Sequence, residues 1–469
     1  LLKICLTIVV FVSQSSAVIT FERRYGGSDD DVGCCVTQTT DGGYAIAGHT
    51  RSYGAGALDF YFIKTDSLGD ILWTHTYGGI YTDSCFAMIR SSDGGYVLVG
   101  QTRSYGVGGA GDVYIIKIDS LGDSLWAKTY GGTEHDTGKD VVETSDGGYL
   151  IGGTTYSMGA NSQMYLLRLD AQGDTSWTRT YGGVNYEGGS SVVETHDRCC
   201  LIAGHSRSFS PGGDDYDIYL AKTDSLGNTI WEQTFGNWGD NFCFSAIQTA
   251  DSGFLVAGLN RYPQGFLYTD LTTINKTTST GDSLWGHQLS GEMGYDVKQT
   301  VDGGYIVTGV FTDSAEVYAH LIKTDSLGNT IWAQNHGGPS LETWDLGLAV
   351  EQTNDGGYIV AGYTILHPLS IDERDVYLLK ADTNGTLNVA ESNQLDLDKD
   401  NMLFASPNPF RHFTLLNGME LEYEIISVYD VTGCLVQMVT NRTIGQDLKP
   451  GIYFLVCDEY LPTKLVKLE

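Results

Sequence analysis

Positive charge is scarce in this chain. Lysine and arginine number 27 against 58 aspartate and glutamate residues, a formal net charge of −31. That balance argues against a nucleic-acid or anionic-membrane partner, because both need clustered cations. Long apolar runs are also lacking. After Ile4 to Val12 at the N-terminus, nothing approaches the roughly 18 residues that a membrane-spanning helix needs. The nine cysteines contain no Cys-x-x-Cys pair and the ten histidines no His-Glu-x-x-His, so the common zinc signatures are missing. His49 and His205 hold equivalent repeat positions and stand beside no nucleophile. No catalytic residue, metal ligand set or cofactor is therefore assigned. Proline is rare too: eight residues beside sixty glycines would read as low complexity in an aperiodic chain.

The glycines are periodic, however. The stretch Thr144-Ser145-Asp146-Gly147-Gly148-Tyr149 returns in variants around Asp41, Asp93, Asp197, Asp251, Asp302 and Asp355, at steps of 51 to 54 residues. Seven copies at that period predict an all-β fold, a seven-bladed β-propeller, since each small sheet can bury its faces only against its neighbours. The third copy divides into four strands: 140–144, 149–155, 164–170 and 175–181. Asp-Gly-Gly makes the first hairpin and Asp-x-x-Gly-Asp/Asn the last. A tryptophan recurs in the fourth strand, at Trp73, Trp126, Trp177, Trp231, Trp285 and Trp332, placed to pack between blades. The seventh copy ends at Val389 without it. Phe21, four residues before Tyr25 as Trp73 is before Tyr77, marks Val18 to Gly27 as the missing outer strand that closes the ring and removes open sheet ends.

The remaining segments give the domain plan. Residues 1–17 read as a secretory signal peptide without its initiator methionine, with Ser15-Ser16-Ala17 as the cleavage pattern. Export would permit disulfides, and Cys434 with Cys457 is one candidate pair, the other cysteines reading as small buried hydrophobes. Residues 18–389 form the propeller, 390–401 a polar acidic linker, and 402–469 a small Ig-like β-sandwich of alternating strands and turns.

Candidate sites fall on the face that carries the variable loops, where binding is expected. Ten residues before each repeat aspartate stand Asp31, Asp83, Asp136, Glu187, Asn241, Glu292 and Asp345, with Asp240 beside the one amide. They predict a ring of acids near the axis, able to hold a cation or basic ligand, or to pair within the blade with Arg51, Arg103, Arg207 and Arg261. Calcium, which takes several oxygens, is chemically possible at Asp29-Asp30-Asp31 or Asp214-Asp215-Tyr216-Asp217. Aromatics on this face include Tyr53, Tyr81, Tyr105, Tyr186, Trp238, Tyr262 and Trp344, suited to stacking on sugars or anchoring a protein. Symmetry breaks most in the fifth copy, between Asn260 and Asp282, so blades four to six are the expected site, with Trp238, Asp240, Arg261, Tyr262 and Glu292.

Two resemblances add to this. The Asp-x-x-Gly-x-x-x-Trp turn resembles the tryptophan-docking turns of quinoprotein propellers, one residue shorter, and equally the turns of kelch blades, so no quinone is inferred. In the tail, Ser406-Pro407-Asn408-Pro409-Phe410, Val428-Tyr429-Asp430-Val431-Thr432-Gly433, Gly451-Ile452-Tyr453 and Lys464 to Leu468 resemble, in this order, the C-terminal sorting domain of type IX secretion cargo. The resemblance implies that residues from Pro407 on are a transport address read by the type IX machinery, on which Pro407, Asn408, Pro409, Tyr429, Asp430, Gly433, Gly451 and Tyr453 carry the motif. The repeats also look like the secreted propeller-repeat proteins that carry such tails. The expected function is non-catalytic binding of a glycan or protein, in a secreted or cell-surface protein. The alternatives are a glycan-active hydrolase or lyase using carboxylates such as Asp240 and Glu292, and a structural surface-layer component.

Overall fold

The computed structural model describes residues 18–387, apart from 160, 211–214, 237–238, 265–266, 314–315, 338–342 and 367–372, and seven strands of the tail. The expected signal peptide, the linker, Trp238, Pro407, Asn408, Pro409, Gly433 and Cys434 lie outside the described residues. The chain divides into two compact units, Leu1–Asn388 and Val389–Glu469.

The first unit is a propeller of seven four-stranded antiparallel sheets. Its first strand, β1 (Phe21–Tyr25), does not belong to the first blade. Blade 1 consists of β2 (Asp31–Gln38), β3 (Tyr44–Thr50), β4 (Asp59–Thr65) and β5 (Ile71–Tyr77), running from the axis outward. Blades 2 to 7 follow, with innermost strands beginning at Asp83, Asp136, Glu187, Asp240, Met293 and Thr343. β1 is the outer strand of blade 7, paired antiparallel with its third strand from Phe21↔Lys380 to Tyr25↔Val376. The ring closes as the aromatic spacing predicts.

Packing explains the pattern. β4 is buried over its whole length, because both its faces meet neighbouring blades, whereas β5 is half exposed at the rim. The recurring tryptophan reaches across the blade junction. The Trp73 ring lies so close over Gly122, in the last turn of blade 2, that a Cβ there would come within 2.9 Å of it; Trp332 covers Gly385 in the same way. Phe21 takes this place over Gly69, at 2.7 Å. Four residues later Tyr25 donates its hydroxyl to Gly69 O at 2.6 Å, as Tyr77 does to Gly122 O.

One strand differs from expectation by more than a single residue. The innermost strand of blade 3 begins at Asp136 rather than residue 140. A β-bulge between Gly138 and Asp140 absorbs one residue, and pairing resumes above it as far as Asp136↔Thr155. Gly138 at the bulge is closely packed: a Cβ on it would lie 2.5 Å from Val99 Cγ1.

In the second unit, strands Phe404–Ser406, Thr414–Asn417 and Thr443–Ile444 form one antiparallel sheet. Leu435–Val439, Ile426–Asp430, Gly451–Cys457 and Tyr460–Lys467 form another. Asp430 and Tyr453 are register partners there.

Candidate functional site

The aspartate that organises the repeat is an anchor for its own blade. In all seven copies it meets a cation from the third strand: Lys64 with Asp41, Lys117 with Asp93, Arg168 with Asp146, Lys222 with Asp197, Lys276 with Asp251, Lys323 with Asp302 and Lys380 with Asp355. Around the same end runs a belt of inter-blade hydrogen bonds. Gln248 accepts from His196 N at 2.7 Å, Gln299 from Ala250 N at 2.9 Å, Gln352 from Val301 N at 2.9 Å, and Gln38 from Asn354 N at 2.8 Å. Glu143 and Glu194 accept likewise from Ser92 N and Ser145 N. This end of the ring is structural throughout. Neither set was foreseen, although both recur at nearly fixed distances from the repeat aspartate.

At the opposite end stand the predicted acids. Asp31, Asp83, Asp136, Glu187 and Asp345 are all buried. Their partners are loop donors rather than Arg51 or Arg103. Asp83 accepts from Gly79 N at 2.7 Å, from Ser104 Oγ at 2.6 Å and from the Thr102 hydroxyl. Asp31 accepts from Gly27 N and Ser52 Oγ, Asp136 from Gly132 N and Ser157 Oγ, and Glu187 from Gly183 N and Ser206 Oγ. Each acid thus ties the Tyr-Gly-Gly loop to the loop after the second strand. The expected arginine pairing is replaced by serine and threonine. Asp345 has Arg24 at 3.8 Å, and Asn241 takes the acid's place in blade 5.

Several face aromatics are likewise tied down: Tyr53 donates to Gly26 O at 2.7 Å and Tyr105 to Gly78 O at 2.6 Å. Tyr81 and Tyr186 are exposed, and Trp344 is partly buried. Of the proposed calcium clusters, Asp29 is engaged with Ser28 and Ser52, and Asp214 lies outside the described residues. No three His, Cys, Asp or Glu side chains gather as a metal cluster among the described residues.

The symmetry breaks where the sequence breaks. In blade 5 the middle strands lengthen from seven residues to eleven, Phe254–Gln264 and Leu267–Thr277, paired as far as Gln264↔Leu267. Blade 6 follows with Tyr305–Asp313 and Glu316–Thr324. Arg261, opposite Asp240 in register, forms a bidentate pair with Asp270 at 2.8 and 2.7 Å. Its guanidinium lies 5.8 Å from the ring centre of Tyr268, which is 67% exposed. Tyr262 accepts from Gln288 Nε2 at 2.7 Å. Asp240 accepts from Tyr216 N at 3.1 Å, and Glu292 stands before the innermost strand of blade 6, its N–H donating to Val310 O.

Between these ends a cavity of about 700 Å³ occupies the axis, lined from the seven innermost strands by residues that include Cys34, Phe86, Lys139, Phe244, Tyr295 and Leu348. Lys139 Nζ sits 3.6 Å from the centre of the Phe86 ring, and burial lowers its pKa. Lys298, which also lines it, meets Asp296 at 2.7 Å. Burial pushes up Asp140, which accepts from Ser191 Oγ and Val192 N of blade 4. The cavity offers a cation, a thiol and aromatic faces; contrary to the sequence reading, His49 does stand beside a thiol, its Nδ1 3.9 Å from Cys34 Sγ, with burial raising the thiol's pKa and lowering the imidazole's.

No protein-family model matches the chain. It is 26% identical over 341 residues to the regulatory protein FlaEY of Caulobacter vibrioides, a match covering 59% of this chain and 34% of that protein. The chain thus spans about a third of that relative's length. Among solved structures, the WD40 β-propeller domain of Doa1 is 13% identical with a TM-score of 0.48, covering 77% of this chain and 96% of that one. Sqt1 of Chaetomium thermophilum, solved with the N-terminus of a ribosomal protein, is 14% identical with a TM-score of 0.44, covering 72% and 84%. The fold and its repeats define a seven-bladed β-propeller repeat protein.

Proposed function

We propose that this is an exported binding protein that recognises a glycan or a protein partner without catalysis, through the loop face of the propeller. The observation that carries this reading is the lengthened hairpin of blade 5. It raises Tyr268 and the Arg261–Asp270 pair out of an otherwise repetitive ring, and a specific ligand needs such asymmetry. In this reading the buried acids hold the loops in place, while Arg261, Tyr262 and Tyr268 meet the ligand, together with Trp238, Asp240 and Glu292. The match to a protein named as regulatory is in keeping with a binding role. Residues 1–17 would direct export, and the tail, through Pro407 to Pro409, Tyr429, Asp430, Gly433, Gly451 and Tyr453, would be the address read by type IX machinery. The protein would then work at the cell surface or outside the cell.

The test is a glycan array probed with the full chain, run beside capture of surface proteins by immobilised chain. Binding that falls at least tenfold in the Tyr262→Ala/Tyr268→Ala variant is expected. Binding that survives this variant unchanged places the site elsewhere. No ligand on either platform leaves self-association of a surface-layer component as the reading to test.

A further inference from the structure

The third strands of blades 1 and 2 begin with Asp59 and Asp112 in an Asp-x-Tyr pattern. Each of these faces the acid that opens the next blade, Asp83 or Asp136. Gly78, the first glycine of Tyr-Gly-Gly, lies against the first pair. A Cβ there would sit 1.9 Å from Asp59 Oδ1 and 2.8 Å from Asp83 Oδ2. At Gly131 the corresponding distances to Asp112 Oδ1 and Asp136 Oδ2 are both 2.4 Å. At Gly78 it is this space, not a left-handed backbone, that calls for glycine.

Both pairs hold buried carboxyl oxygens without a partner. Asp59 Oδ2 accepts from Ala55 N and Gly56 N, and Asp112 Oδ2 from Val107 N. Their Oδ1 atoms, facing the neighbouring acid, have no hydrogen-bond partner, and the residues are 1% and 2% exposed. Asp136 Oδ1 is likewise buried and unpartnered. Among the described residues, no lysine, arginine or histidine pairs with any of the four acids. Two buried carboxylates this close are stable only if they share a proton or something positive lies between them.

Three of the other junctions show a neutralising or cationic group in that place. Between blades 3 and 4 the Asp59 position is Gln163. Its Nε2 lies 2.9 Å from Glu187 Oε2, 3.0 Å from Gly183 O and 3.0 Å from Ser162 O. Three oxygens surround a nitrogen that has two hydrogens. Between blades 4 and 5 the acid is Asn241, whose Nδ2 meets Asp217 Oδ1 at 3.3 Å and Gly239 O at 2.7 Å. Between blades 7 and 1, Asp375 and Asp31 meet around Gly26, and there Arg24 is close enough to oppose the upward push of burial and of Asp31 on Asp375. Where an acid pair stands with no amide and no arginine, its positive partner has to come from solution, as a shared proton or as a metal cation.

We propose that the blade 1/2 and blade 2/3 junctions each bind a hard divalent cation of the calcium class, held by Asp59 with Asp83 and by Asp112 with Asp136. Two carboxylates, the carbonyl of the second glycine (Gly79 or Gly132, equivalent to Gly183) and water make an all-oxygen ligand set suited to such an ion. The ion would pin one blade to the next from within the ring, beside the Tyr105 and Tyr165 side chains.

The test strips the full chain with a chelator, returns calcium, and counts bound ions by mass spectrometry beside a thermal melt. Uptake of calcium with a raised Tm is expected. The Asp59→Gln/Asp112→Gln variant copies the Gln163 arrangement, and should bind about two fewer ions per chain and lose most of the Tm response. Wild-type protein that takes up no calcium, or a folded variant that binds as many ions as wild type, overturns the proposal. Terbium luminescence sensitised by tyrosine gives a reading on wild-type protein alone: emission that calcium displaces is expected, and its absence also overturns the proposal.

Discussion

Lys276 Nζ lies 2.9 Å from Asp251 Oδ2, with the lysine side chain 3% exposed and the aspartate 60% exposed. The cation is inside the blade and its partner at the water's edge. Because this arrangement recurs in every blade, acid should strike all seven at once. The Arg168 guanidinium holds Asp146 down to about 2. In Asp41, Asp197 and Asp302 partial burial pushes upward, but a threonine hydroxyl and the lysine outweigh it and leave the pKa at about 2. A folded pKa below the unfolded value, about 3.9, gives stability that is present above pH 4 and lost as pH falls toward 2. Melts between pH 5 and pH 2 should show Tm dropping across this window. Asp41→Asn/Asp302→Asn should melt lower at pH 7 and show a shallower drop.

Arg198 and Ser252 occupy the turn position that is glycine in the other five copies, with φ of 60° and 67°. A side chain in the left-handed region costs about 1–2 kcal/mol. Arg198→Gly and Ser252→Gly should therefore each stabilise the protein, by about 1 kcal/mol after the glycine's added freedom when unfolded is set against the gain. Denaturant titration checks this, and a loss of stability in both would contradict the strain.

Trp332 packs against Gly385, Tyr358 and the core between blades 6 and 7. Trp332→Ala should cost about 3 kcal/mol. Gly385→Ala fails differently, since its Cβ would lie 2.4 Å from the indole and its φ is +72°. The two variants combined should cost less than the sum of their separate effects, because removing the ring relieves the clash.

Phe21→Ala removes the ring that closes blade 7 over Gly69 and loosens β1 from its partner strand. The exposed edge of the third strand then invites pairing with another chain. Light scattering should show self-association rising with concentration beyond that of wild type, and Phe21→Trp should scatter as wild type does.

The fold was legible because the repeat is long, regular and marked at both hairpins; even the closing strand followed from the four-residue spacing of Phe21 and Tyr25. The place of the acids was legible as well. Their surroundings were not, for spacing in one blade cannot show that Ser104 and Gly79 converge on Asp83 from two different loops. Arginine at a nearby position looked a better partner than serine, yet a short hydroxyl reaches a buried carboxylate without drawing a guanidinium out of water. Asp59 and Asp112 escaped notice because their meaning depends on the next blade, some 24 residues further along the chain. Sequence reading follows one blade at a time, and junctions belong to two.

The hydrogen bond from Tyr377 to Glu22 joins residues 355 positions apart. β1 is the first part of the propeller to leave the ribosome, yet its pairing strand is the last full one to be made. Until then the opening segment has no partner and the growing arc of blades has two unfinished ends. Contacts of such long range slow folding, so the final locking step must wait until blade 7 has been made. Any apparatus that carries the chain in extended form therefore meets it before that step, or has to undo it.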